Sequence, residues 1–182
     1  VTKEGAQLSM ILLTEDEENH RNMAEIVKQN WGAQGIAVEV HPLPLPVLLE
    51  QLKTHNYDAA LVDINLSGTP DPDPYPFWGQ AMIQNGQNYA GWDDRTASEF
   101  LEQARITTDT DLRLKLYRNF QIYFEEKLPS LPLFYPIYNY AVRNSFKDIS
   151  FGPLNDPSDR FSNAAKWYIL SAKTQDILTP EN

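Results

Sequence analysis

Residues 8–63 alternate strand-like and helix-like hydrophobic patterns, and that alternation leaves few folds open. Leu8–Leu13 is a continuous apolar run of strand length. Thr14-Glu-Asp-Glu-Glu18 follows it with a candidate N-cap and with acidic residues that suit the positive end of a helix dipole. Met23, Val27 and Trp31, with Ala24 and Ile26 beside them, mark a helical face over residues 19–31, and Gly32 and Gly35 are the natural stop. Ile36–Val40 alternates as a second strand. Leu45, Leu48, Leu49 and Leu52 then fall at helical spacing, so a helix is expected over 46–54, with Pro46 tolerated in its first turn. Tyr57–Asp63 reads as a third strand. This β-α-β-α-β order implies parallel strands joined by right-handed crossovers. In such sheets ligands bind beyond the carboxyl ends of the strands.

Past residue 63 the pattern changes. Ser67–Pro76 carries four prolines in ten residues, too many for a helix or a central strand, and is expected to leave the third strand as a rigid loop. A second loop is expected over 85–93 (Asn-Gly-Gln-Asn-Tyr-Ala-Gly-Trp-Asp). Helices resume with Ala97, Phe100, Leu101 and Ala104 on one face. After an Asp109-Thr-Asp111 cap, Leu112, Leu116, Phe120, Tyr123 and Phe124 line another. Leu131–Val142 is extended and aromatic, 150–163 is polar and turn-rich, Ala164–Leu170 offers a last strand, and 171–182 reads as a frayed tail.

Composition removes several classes of function. With 15 Lys+Arg against 25 Asp+Glu the chain carries a net charge of −10, and no basic cluster is present to neutralise phosphates, so no nucleic-acid partner is expected. Cysteine is absent, which excludes disulfides, thiolate metal sites and cysteine nucleophiles. Nine Tyr, eight Phe and four Trp argue for a packed core rather than disorder. No apolar run reaches the ~20 residues of a membrane span. The chain starts at Val1 in charged, linker-like residues and reads as a piece of a longer one.

Motifs for chemistry are weak. His20, His41 and His55 lack metal-ligand spacing and read as surface or satisfied histidines; there is no G-x-S-x-G, no phosphate-binding glycine loop and no H-E-x-x-H. No catalytic residue, metal or cofactor is expected. Asp63, Asp71, Asp73, Asp93 and Asp94 could in principle furnish the paired carboxylates of a glycosidase, and Asp71 with Asp73 a calcium site, but the interleaved prolines keep that loop from curling round an ion. A carbohydrate-active enzyme, or an aromatic-rich module binding carbohydrate or protein, is the alternative reading.

Seven short pieces then fall in one recognisable order. They are Ala33–Val38 at the end of the first crossover, Tyr57-Asp58-Ala59-Ala60, Pro70–Pro74, Asn88-Tyr89-Ala90-Gly91-Trp92, Asp111–Leu114 through Tyr117 and Gln121, Leu128–Tyr135, and Lys166–Leu170. In this order they resemble the C-terminal lobe of the extracytoplasmic solute-binding proteins of peptide-type ABC importers, the dipeptide, oligopeptide and nickel group. The resemblance implies a type II periplasmic-binding-protein-like α/β lobe with a mainly parallel sheet flanked by helices. It implies that residues 1–148 form the second lobe of a two-lobed binding protein and that 149–182 are a return segment to the missing N-terminal lobe, plus a tail.

The implied partners are a small-molecule or peptide ligand, that missing lobe and an ABC permease in the membrane. The implied location is the periplasm or the outer face of the cell membrane, with the full-length protein tethered there as a lipoprotein. Asp63, Asn65, Asp71, Tyr89, Trp92 and Tyr135 are the expected ligand-binding residues. Peptide binders of this kind place Gly-Trp where this chain has Asp63-Ile64. Asp63 in a closing cleft therefore needs a cationic partner, either on the ligand or as an arginine of the missing lobe. Trp92, beside Gly91 in a loop, has less reason to be core and is expected to face the ligand.

Overall fold

The computed structural model describes residues 2–3, 6–66, 73–152, 154 and 156–170. They form two compact units, one from the residues up to Asn65 together with Asp73–Leu131, the other from Leu66 and the described residues from Pro132 onward.

In the first unit, β1 (Thr2–Lys3) and β2 (Ala6–Gln7) pair antiparallel ahead of a parallel sheet. That sheet has β3 (Ser9–Glu15) between β4 (Ala37–Leu43) and β5 (Ala59–Ala60). Both ladders are parallel, Ser9 opposite Ala37 through Glu15 opposite Leu43, and Leu12 and Leu13 opposite Ala59 and Ala60. The two crossover helices are α1 (Glu18–Ala33) and α2 (Leu45–Thr54). The first crossover runs from β3 to β4 and the second back from β4 across β3 to β5, so right-handed connections in these opposite directions place the helices on opposite faces of the sheet. Leu13 packs against Leu48 and Leu52 of α2, while Ala24 of α1 is fully buried and Ile26 faces outward.

The third strand is shorter than the expected Tyr57–Asp63. At its start Asp58 supplies the reason: its carboxylate accepts the Ile11 N–H at 2.8 Å, taking a donor that an earlier ladder would have paired with backbone. Regular pairing is confined to Ala59–Ala60, with one further bond from Leu61 N to the Leu13 carbonyl.

Of the proline-rich stretch, residues 67–72 lie outside the described residues, and Asp71 with them. Tyr75 and Pro76, expected in that loop, instead open a short helix, α3 (Tyr75–Trp78), because proline fits the first turn where its missing N–H is not needed. α4 (Met82–Asn85), α5 (Arg95–Ile106) and α6 (Thr110–Lys127) follow. Asp94 and Asp109 cap α5 and α6 by accepting their first free N–H groups. Tyr75, Ala97, Leu101 and Phe120 are the buried centre of this helical layer, with Trp78, Trp92, Tyr123 and Phe124 packed on it.

In the second unit, residues 132–143 lie in no regular element, and the expected strand Ala164–Leu170 is reduced to β7 (Tyr168–Ile169), paired antiparallel with β6 (Phe146–Lys147). Ala164–Lys166 forms a 3-10 turn instead. Tyr140, Phe151, Phe161 and Trp167 make a chain of ring contacts, and the Arg160 guanidinium lies 4.6 Å from the Phe161 ring. The expected tail, 171–182, lies outside the described residues.

Candidate functional site

The parallel register brings the ends of β3, β4 and β5 to one edge. The chain turns there from Glu15 into α1, and the turn is held by Asp16 N donating to the Leu43 carbonyl at 2.8 Å and by an Asp16–Arg21 ion pair. Glu17 caps α1 by accepting from the N–H groups of Asn19 and His20. Asp63, three residues beyond β5, emerges beside that same turn. His20 lies between the two carboxylates, Nδ1 at 3.1 Å from Glu17 Oε2 and Nε2 at 3.2 Å from Asp63 Oδ2. The imidazole is 15% exposed and the Asp63 side chain 80%. Burial works against a charged ring, but the Glu17 hydrogen bond, the Asp63 charge and hydrogen bond and the Glu15 charge outweigh it and hold His20 above its ordinary range. The His20 bond in turn outweighs burial at Glu17 and holds that carboxyl below its usual range. Asp63 thus has a hydrogen-bond partner on the chain's own α1. Asn65 is exposed two residues further on.

The loop after α4 is knotted by Asn88. Its amide N–H groups donate to the carbonyls of Gly79 and Trp92, its Oδ1 accepts from Trp92 N, all at 3.0 Å, and the residue is 1% exposed. Gly91 takes the positive φ of 61° that lets the chain reverse. Tyr89 leaves this loop toward α2: its carbonyl accepts from the Tyr57 hydroxyl at 2.5 Å and contacts His55 Nδ1 at 3.2 Å. Burial, with Tyr89 alongside, holds the Tyr57 hydroxyl above its ordinary range, which keeps it a donor. With Pro46, Leu49, Lys53 and Asn85, Tyr89 lines an open groove of about 500 Å³.

Trp92 points the other way. Its ring meets Trp78, Phe120, Tyr123 and Phe124 at centroid distances of 5.7–6.5 Å. Trp92, expected to have little core role beside Gly91, instead packs in the helical layer, because the Asn88 knot folds that loop back onto α5 and α6. Tyr135 belongs to the second unit and is 92% exposed. The structure thus joins Asp63 to His20, sets Tyr89 on the α2 groove and seats Trp92 in the helical layer.

The loop carboxylates of the enzyme reading have structural duties. Asp73 pairs with Arg105 at 3.0 Å and accepts from Tyr75 N, Asp93 accepts from Gln80, and Asp94 caps α5 while accepting the Tyr123 hydroxyl at 3.0 Å. Among the described residues no group of three or more His, Asp or Glu could hold a metal ion, and no helix is long and apolar enough to cross a membrane. His20 and Asn88 are the residues that sequence reasoning passed over. The first was read as a surface or satisfied histidine, the second only as part of a motif.

No protein-family model matches the chain. Among curated proteins it is similar to di/tripeptide-binding protein 2 of Pseudomonas aeruginosa, 28% identical over 138 residues, which are 75% of this chain and 26% of that protein. Among solved structures it matches the oligopeptide-binding protein AppA of Bacillus subtilis in complex with a nonapeptide, at 22% identity and a TM-score of 0.71, over 93% of this chain and 33% of that one. It also matches the ABC transporter-associated periplasmic binding protein DppA of Helicobacter pylori in complex with the peptide STSA, at 19% identity and a TM-score of 0.57, over 68% and 24%. The chain is thus similar in sequence to a part of di/tripeptide- and dipeptide-binding proteins and shares the fold of the matched part of these solved structures. It spans about a quarter of the length of the curated relatives it matches. Those relatives are named as binding proteins, not as enzymes.

Proposed function

We propose that this chain is the C-terminal lobe, residues 1–148, and return segment, 149–182, of the substrate-binding component of a peptide-type ABC importer. It acts outside the cytoplasm, in the periplasm or tethered to the outer face of the membrane. It encloses a peptide or similar small solute against an N-terminal lobe and hands it to a membrane permease, with no bond made or broken. The observation that carries this reading is the alignment of three quarters of the chain with a di/tripeptide-binding protein, together with the parallel β-α-β-α-β sheet. The sheet edge with Asp63 and Asn65 supports a place for the ligand's positively charged group, since Asp63 is exposed and already polarised toward a cation. Tyr89, on the open groove beside α2, is the other residue proposed to face the ligand.

The test is a thermal-shift screen of the two-lobed protein against dipeptides with free and with acetylated amino ends. Stabilisation by the free-amine dipeptides, weakened at least tenfold in affinity by Asp63→Ala, is expected. A protein stabilised by no dipeptide would overturn the peptide reading.

A further inference from the structure

We propose that His20 is a proton-operated latch on Asp63. The doubly protonated ring ties the segment after β5 to the first turn of α1, and loss of one ring proton frees Asp63 as an open carboxylate at the sheet edge.

Both ring nitrogens face carboxylate oxygens, Nδ1 to Glu17 at 3.1 Å and Nε2 to Asp63 at 3.2 Å. An ionised carboxylate only accepts hydrogen bonds, and a neutral imidazole has a single N–H to give. Only the imidazolium satisfies both partners at once. After deprotonation one nitrogen lone pair faces a carboxylate oxygen, and that contact opens.

The surroundings decide which contact opens. Glu17 is anchored independently, because Oε2 also accepts from Asn19 N at 2.9 Å and from His20 N at 3.3 Å as the cap of α1. Asp63 is mostly in water, which replaces the lost bond at little cost. So Glu17 keeps the neutral ring and Asp63 leaves. The charged groups facing the ring are Glu15 from the end of β3, Glu17 from the cap and Asp63 from beyond β5. The nearest basic side chain on α1, Arg21, is turned to Asp16.

The consequence for ligand rests on the reading proposed above. A ligand ammonium group and protonated His20 compete for one carboxylate, so binding at Asp63 expels a proton from His20. Affinity for an amine-bearing solute then rises with pH, by at most tenfold per unit, across the His20 titration.

The latch itself is tested without ligand. In the 182-residue chain the ring resonances of His20 are followed by NMR across pH 5 to 9, together with the backbone amides of Ile64 and Asn65. The His20 midpoint is expected above the ordinary value of ~6.5, lowered by Asp63→Asn, with the two amides following the same midpoint. In His20→Gln those amides should lose that transition. A midpoint unmoved by Asp63→Asn, or amides that ignore the His20 titration, overturns the latch. In a second arm the two-lobed protein is titrated with alanyl-alanine at pH 5.5 and pH 8. Weaker binding at pH 5.5 in the wild type but not in His20→Gln supports the coupling, and equal binding in the wild type overturns it. No binding at either pH counts against the peptide reading instead, and the NMR arm still decides the latch.

Discussion

Replacing Asn88 by alanine removes the knot that folds the Gly79–Trp92 loop onto the helical layer. Three hydrogen bonds of 3.0 Å are lost at a residue that is 1% exposed. At a net ~1 kcal/mol for each bond, the variant should be destabilised by about 3 kcal/mol, more if the Gly79 and Trp92 groups stay dry. For a domain of this size each kcal/mol lowers the melting temperature by ~2–4 °C, so a drop of roughly 6–12 °C is expected. Asn88→Asp is the informative companion. It keeps the acceptor for Trp92 N but sets a second carboxylate oxygen against two carbonyls, so at neutral pH it should cost at least as much as alanine. Urea unfolding followed by circular dichroism, alongside tryptophan fluorescence, gives both numbers. A loss below about 1 kcal/mol for Asn88→Ala would show that the loop is held by ring packing alone and that the knot does not position it.

Other outcomes follow from single features. Gly91→Ala should cost about 1 kcal/mol from the positive φ alone, because the nearest atom to the added methyl is His55 Nδ1 at 3.8 Å, leaving no clash; a larger thermal loss would contradict that. Asp94→Ala removes the cap of α5 and the partner of the Tyr123 hydroxyl, and should cost about 1–2 kcal/mol by chemical denaturation. Glu17 titrates below, and His20 above, its ordinary range. The Glu17 contribution is therefore present above pH ~4.5 and fades as pH falls through the lowered value, whereas that of His20 is present below pH ~6.5 and fades as pH rises through the raised one. The melting-temperature difference between wild type and His20→Gln should accordingly be widest between those limits and shrink toward pH 9, and a pH-independent difference would refute the pairing.

Much of the first unit was legible because its elements follow from period alone. Met23, Val27 and Trp31 mark α1, and the leucines of 45–52 mark α2, to within two residues at either end. Parallel pairing then follows from the connections. The start of the third strand falls two residues later than its pattern suggests because the bond from Ile11 N to the Asp58 side chain leaves no trace in a hydrophobic pattern. α3 was hidden for a related reason, since proline signals a breaker in mid-helix and an acceptable start in the first turn. Asp63 stands out in the sequence as a carboxylate at the end of the third strand. Its partner His20 lies 43 residues earlier, and only the sheet order brings β5 and the start of α1 to one edge. Trp92 shows the opposite failure. The local signal of a glycine turn was right, but a buried amide four residues away decides where the ring goes.

Titration calorimetry of the 182-residue chain and of the complete two-lobed protein, against the same set of dipeptides, tests most directly the claim that this chain is one half of a clamp. A ligand held by one lobe keeps its other face in water, and losing ~4 kcal/mol of contacts weakens binding about a thousandfold. The account predicts tight binding by the two-lobed protein and binding weaker by about that factor, or none, by the 182-residue chain. Micromolar or tighter binding by the 182-residue chain alone would contradict it, because one lobe would then hold a complete site.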